Sequence, residues 1–259
     1  MAAPKKHFGQ HFLADQSVVE RIVAVLAPRA GEHLIEIGPG QGALTLPVLK
    51  KTKQLEVIEL DRDVLPELEA RCERAGDLTI HLTDVLNVDF AALKQDKRPL
   101  RVFGNLPYNI STPLIFHLIK HFDVISDMVF MVQKEVADRL SALPNNGDYG
   151  RLSVMVQYHA KVQHAFDVPP SAFFPPPRVQ SSIIRMTPHA KLPAKAIDET
   201  LLSTVVRDAF NQRRKTIRNA LHKLLPDTAW DELNIKRELR PENLTVTDFV
   251  AIANYLAKG

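Results

Sequence analysis

Glu36-Ile37-Gly38-Pro39-Gly40-Gln41-Gly42 is the stretch on which the fold turns. It closes an apolar run, His33 to Ile37, with three alternating glycines, and a helical pattern begins near Leu44. A strand that passes through glycines into a helix predicts a nucleotide-binding turn, because missing side chains let the backbone approach a ligand closely. The dinucleotide fingerprint places glycines at its first, third and sixth positions. Here they occupy the first, third and fifth.

Outward from this turn, β-rich runs alternate with helical patterns from Ile35 to about Met186, which predicts a Rossmann-like α/β fold with a mostly parallel sheet. Strands are expected over His33 to Ile37, Leu55 to Leu60, Leu78 to Leu82, Leu100 to Phe103, Asp127 to Val132, Ser153 to Tyr158 and Ser181 to Met186. Helices are expected over Asp63 to Arg74, Thr112 to His121 and Lys134 to Leu143. The proline-rich stretch Pro169 to Pro177 cannot supply a crossover helix, so an antiparallel last strand is expected. After His189 the pattern becomes helical, with Leu201, Leu202, Val205, Val206, Phe210, Ile217 and Leu221 at helical spacing. The expected division is a catalytic domain over 1–189 and a small α-helical domain over 190–259.

Carboxylates stand at the ends of the second and third strands. Glu59, about 20 residues beyond the glycines, is placed to accept both hydroxyl hydrogens of a ribose. Asp84 is placed to accept from an adenine amino group, with the backbone N–H of Val85 near the ring. Acids after three successive strands suit a cofactor with no pyrophosphate to repel, S-adenosylmethionine rather than a nicotinamide dinucleotide. The bland alternative is that Glu59 and Asp84 merely cap helices.

The fourth strand runs into Gly104-Asn105-Leu106-Pro107-Tyr108-Asn109-Ile110-Ser111-Thr112, the most specific signal in the chain. An adenine N6 is a poor nucleophile because its lone pair is delocalised into the ring. The Asn105 side-chain oxygen and the Leu106 carbonyl, by accepting its two hydrogens, favour the more tetrahedral nitrogen. Pro107 keeps Leu106 extended, and Tyr108 offers a ring on which a base stacks, a contact worth about 1–3 kcal/mol. Phe173, in the proline-rich loop, is the expected opposite wall, its alternative being a core plug.

Together these segments resemble the ribosomal RNA adenine N6,N6-dimethyltransferases, and most closely the bacterial small-subunit (16S) members of that family. The likeness covers nearly the whole chain. It includes Phe8-Gly9-Gln10-His11-Phe12-Leu13, the glycine turn, Glu59-Leu60-Asp61-Arg62-Asp63, Val102 to Ser111, the Phe-Pro-Pro-Pro loop, and Ala209-Phe210-Asn211-Gln212-Arg213-Arg214-Lys215-Thr216-Ile217-Arg218. The resemblance implies methylation of two adjacent adenosines in the 3′-terminal hairpin loop of 16S ribosomal RNA during late small-subunit assembly. It also implies S-adenosylmethionine contacts at His11, Leu13, Gly38, Glu59, Asp84 and Asn105, to which the glycine turn and the third strand end add Gly40 and Val85. Family members often carry asparagine at the position of His11. Arg213, Arg214, Lys215 and Arg218 are then expected to meet RNA phosphates; the alternative is a solvated helix face.

The formal charge of +3 is only mildly basic, and 45% hydrophobic with 24% charged residues is an ordinary globular composition. The single cysteine, Cys72, makes no internal disulfide, no zinc spacing is present, and no run approaches the ~20 apolar residues of a membrane span. A cytoplasmic monomer with ribosomal RNA as partner, no membrane and no metal is the expectation. Still open on sequence are a large-subunit RNA or DNA adenine methylase and a non-catalytic RNA-binding assembly or transcription factor on the same scaffold. A nicotinamide-dependent oxidoreductase is disfavoured by the glycine spacing.

Overall fold

A computed structural model describes residues 11–212 and 214–258. Its strands are β1 (Phe12–Leu13), β2 (His33–Ile37), β3 (Gln54–Glu59), β4 (Asp77–Leu82), β5 (Leu100–Asn105), β6 (Ile125–Gln133), β7 (Ala160–Val168), β8 (Phe173–Phe174) and β9 (Ser181–Pro188). Between them run α1 (Gln16–Leu26), α2 (Thr45–Thr52), α3 (Leu65–Cys72), α4 (Phe90–Leu93), α5 (Ser111–Ile119), α6 (Lys134–Ser141) and α7 (Arg151–His159). Four helices follow: α8 (Glu199–Phe210), α9 (Ile217–Leu221), α10 (Ala229–Glu232) and α11 (Val246–Leu256).

Seven strands form one sheet in the order β4-β3-β2-β5-β6-β9-β7. Strands β2 to β6 pair in parallel, and β9 pairs antiparallel with β6 as the loop composition requires. Helix α1 shows how sequence becomes packing. Asp15 caps it by accepting the N–H groups of Ser17 and Val18, and Val18, Val19, Ile22, Val23 and Leu26 form its buried stripe. Burying side chains of this size contributes about 1.5–3 kcal/mol each. They share a core with Leu34, Leu55, Val57, Phe103 and Val129 of the sheet and Val48, Leu49 and Leu68 of α2 and α3.

Alternation along the strands then determines what lies at each end of this buried face. Glu36 follows Leu34, Glu59 follows Val57, and Asn105 follows Phe103, so all three reach the carboxyl ends of their strands on the core side. At the amino ends the same face carries Arg101 and Asp127. Asp127 accepts from Arg101 Nε at 2.7 Å and Arg185 Nη2 at 2.6 Å, while Arg101 also reaches Glu32 and the Leu26 carbonyl at 2.6 Å. Gly104 is required by close packing of β5 on β2, since a Cβ there would stand 2.2 Å from the Ile37 carbonyl oxygen.

Two expectations are corrected. Ser153 to Tyr158 is not a strand but the interior of α7, and the missing strand is β7, immediately after it. Ser153, Val154, Met155, Val156 and Tyr158 are all buried, so their burial does not trace a single amphipathic stripe. The boundary at 189/190 also shifts. The chain forms two compact units, 1–137 with 162–188, and 138–161 with 189–259, so α7 belongs with the C-terminal helices. In that second unit Tyr158, Trp230 and Phe249 are buried, and Phe210 packs against both Tyr149 and Phe249.

Candidate active site

One cavity at the carboxyl ends of the parallel strands gathers His11, Leu13, Gly38, Gly40, Glu59, Asp84, Val85, Asn105, Leu106, Pro107 and Tyr108. Gly38, Gly40 and Gly42 take φ of 66°, 52° and 82°, the left-handed region that glycine enters without strain. A Cβ on Gly40 would also press against the Phe12 ring at 3.1 Å.

Glu59 is held by three backbone donors. Its Oε1 accepts from Leu60 and Asp61 at 2.8 Å each, and its Oε2 accepts from Gly40 at 3.2 Å. Burial pushes its pKa up, and the three backbone bonds pull against that rise. Oε2 keeps a second lone-pair site for a hydroxyl donor. Asp84 both caps and lines: its Oδ1 accepts from Leu86 at 3.0 Å, and the residue faces the same cavity.

Asn105 Nδ2 donates to the His11 carbonyl at 3.1 Å. That bond orients the amide and leaves Oδ1 as the acceptor on its other side. The Leu106 N–H donates to the Met131 carbonyl at 3.1 Å, and among the described residues its own carbonyl takes no donor. The Pro107 carbonyl accepts from Ile110 at 3.2 Å, turning the chain into α5. The Tyr108 hydroxyl shares a 2.6 Å hydrogen bond with Ser181 on β9, and burial raises its pKa. His11 stacks against that ring, centroids 5.8 Å apart and planes 28° apart. His11 Nδ1 donates to the Pro175 carbonyl at 2.8 Å, since a carbonyl can only accept.

Phe173, expected as the opposite wall, is not among the residues that line this cavity. Strand β8 pairs with β1 so that Phe173 lies opposite Leu13 and Phe174 opposite Phe12. Alternation sends Phe173 into the core, 4% exposed, and leaves Phe174 outside at 69%. Two residues given no role from sequence enter the site, Ser181 and Phe12, and Glu36, read only as one of three strand-end acids, enters it as well. The signal for Glu36 was an acid inside an otherwise apolar strand.

The basic segment divides. Arg214 and Lys215 are exposed in the turn between α8 and α9 rather than on a helix face, and Arg218 is exposed but paired with Asp227. Arg213, and Phe8 to Gln10, lie outside the described residues.

S-adenosylmethionine fits this donor set: a glycine turn with no Cβ in the way, acceptors at Glu59 and Asp84, and the buried Glu36 Oε2 without a partner among the described residues. Fold and site thus define an S-adenosylmethionine-dependent methyltransferase. The family model for ribosomal RNA adenine dimethylase matches residues 1–258. Ribosomal RNA small subunit methyltransferase A of Pseudomonas putida is 51% identical over 253 residues, 98% of this chain and 95% of that protein. The protein of that name from Chromohalobacter salexigens is 53% identical, over 98% of this chain and 92% of the relative. A dimethyladenosine transferase from Plasmodium falciparum superposes with a TM-score of 0.82 at 26% identity, covering 96% of this chain and 98% of that one. The 23S rRNA methyltransferase ErmE, 21% identical with a TM-score of 0.75, shares the fold over 95% of this chain and 99% of its own. The chain belongs to the ribosomal RNA adenine dimethylase family and is an S-adenosylmethionine-dependent ribosomal RNA methyltransferase.

Proposed function

We propose that this enzyme dimethylates N6 of two adjacent adenosines in the 3′-terminal hairpin loop of 16S ribosomal RNA, acting as a cytoplasmic monomer on the immature small subunit. The Asn105 tether carries the chemical half of this reading, because an amide already bonded through Nδ2 presents Oδ1 as a preorganised acceptor. Names of relatives about half identical over nearly the full chain support the small-subunit target. Among the described residues no helix is long and apolar enough to cross a membrane.

When bound, S-adenosylmethionine supplies a methyl group activated by its sulfonium. Glu59 and Asp84 accept from the nucleoside hydroxyls and amine. Asn105 Oδ1 and the Leu106 carbonyl accept the two hydrogens of the target amine, which localises its lone pair, and Tyr108, steadied by Ser181, stacks under the extruded base. Arg214, Lys215 and Arg218, with Arg213, meet RNA phosphates. The test is transfer of labelled methyl to immature small subunits from a strain lacking the modification. Dimethyladenosine in the 3′-terminal hairpin is expected, and label confined to large-subunit RNA or DNA overturns the target.

A further inference from the structure

Glu36 is the acid of the cavity for which neither capping nor strand pairing accounts. It is 1% exposed, its Oε2 has no hydrogen-bond partner among the described residues, and it lines the same cavity as Glu59. The adjacent Thr45 hydroxyl is also buried. An isolated carboxylate in such a place is costly, and the group escapes that cost by keeping its proton. The other ionisable groups around it are Glu59 and Asp61 at the end of β3, Cys72 and Arg71 on α3, and His11, Asp84 and Tyr108 around the cavity. Three of these are carboxyls, so the neighbourhood discourages another negative charge, and Arg71 spends one guanidinium nitrogen on the Gln41 carbonyl.

We propose that Glu36 senses the charge of the methyl donor: protonated in the free cavity, it surrenders that proton when the cationic donor enters and regains it after transfer. S-adenosylmethionine carries a sulfonium, an ammonium and a carboxylate, net one positive charge. Its product carries a neutral thioether and no net charge. The group that compensates the donor is therefore uncompensated beside the product, which favours exchange of product for fresh donor. Burial pushes the Glu36 carboxyl up to about 8, with the Thr45 hydroxyl pulling down and Glu59 pushing up, so the switch operates in the neutral range.

Calorimetric titration of the full chain in buffers of differing ionisation enthalpy tests this without turnover. At about pH 7 the donor should release close to one proton and the product distinctly less, and donor Kd should tighten by up to roughly tenfold per pH unit from about pH 6 to 8. Glu36→Gln, which mimics the neutral acid, should lose the proton release and most of the preference for donor over product. Equal release for donor and product, or wild-type release from Glu36→Gln, overturns the proposal. Should that variant fail to fold, difference infrared spectroscopy on the wild type decides. A protonated-carboxyl stretch lost on adding donor and retained with product supports the switch, and absence of that stretch from the free protein refutes it.

Discussion

Replacing Asn105 with alanine removes two things that can be measured separately. The first is the Nδ2 bond to the His11 carbonyl, a neutral, half-buried hydrogen bond of 3.1 Å whose loss costs about 0.5–1.5 kcal/mol of stability. The second is Oδ1, the acceptor proposed for the target amine. Loss of one preorganised group of this kind typically lowers kcat by about 10²–10³, or about 2.7–4 kcal/mol in the transition state. The variant should thus remain folded and bind RNA, yet its single-turnover rate at saturating donor should fall by about 10²-fold or more. Asn105→Asp should do no better, because it sets a second acceptor against the His11 carbonyl and loses the tether. His11→Asn should keep the tether, which uses the His11 backbone, and retain a rate within a few-fold of wild type. A rapid-quench assay with labelled donor, together with donor Kd from calorimetry, separates chemistry from binding. A rate within about tenfold of wild type for Asn105→Ala, or a loss confined to donor Kd, would refute the acceptor role.

Asp127→Ala leaves Arg101 and Arg185 without their shared carboxylate in a mostly buried network, and should destabilise the protein by about 3–5 kcal/mol in urea titrations; a cost below about 1 kcal/mol would show that Glu32 compensates. The hydrogen bond from His33 holds the Glu56 carboxyl below its usual range, with His81 helping against burial. That stabilisation is present above the unfolded carboxyl pKa of about 4.5 and is lost as pH falls through the depressed folded value. Glu56→Gln should flatten this acid limb in melting curves, and an unchanged limb would assign acid sensitivity elsewhere. Alanine at Arg214, Lys215 and Arg218 should weaken binding to the small-subunit hairpin and reduce the slope of log affinity against log salt by up to about 0.7–0.9 for each phosphate no longer neutralised, with Arg218 contributing least because Asp227 already holds it. A slope equal to wild type in filter-binding titrations would return the segment to the solvated-face reading.

Much of the site was legible because its parts are local. Gly38, Gly40, Glu59, Asp84 and Asn105 to Tyr108 each follow a strand whose apolar run identifies it, and a parallel sheet brings successive strand ends together. What was not legible has the opposite property. Ser153 to Tyr158 is buried too broadly for one period to stand out, so packing rather than pattern decides for the helix. Phe173 and Phe174 are adjacent and chemically alike, and the pairing of β8 with β1 decides which of them faces the core. A one-residue shift would have reversed them.

By itself, the sequence determined the alternating strands and helices around the parallel sheet, the glycine turn, and the residue types from which an amine-methylating pocket is proposed, since these rest on residue type and spacing along the chain. Tertiary structure alone decided that the His11 carbonyl orients Asn105, that Ser181 steadies Tyr108, and that Glu36 is buried with an unpartnered oxygen beside Glu59. Each depends on groups brought together by folding, 94 and 73 residues apart in the first two cases, and no local pattern encodes which side chain or carbonyl will stand within hydrogen-bond reach.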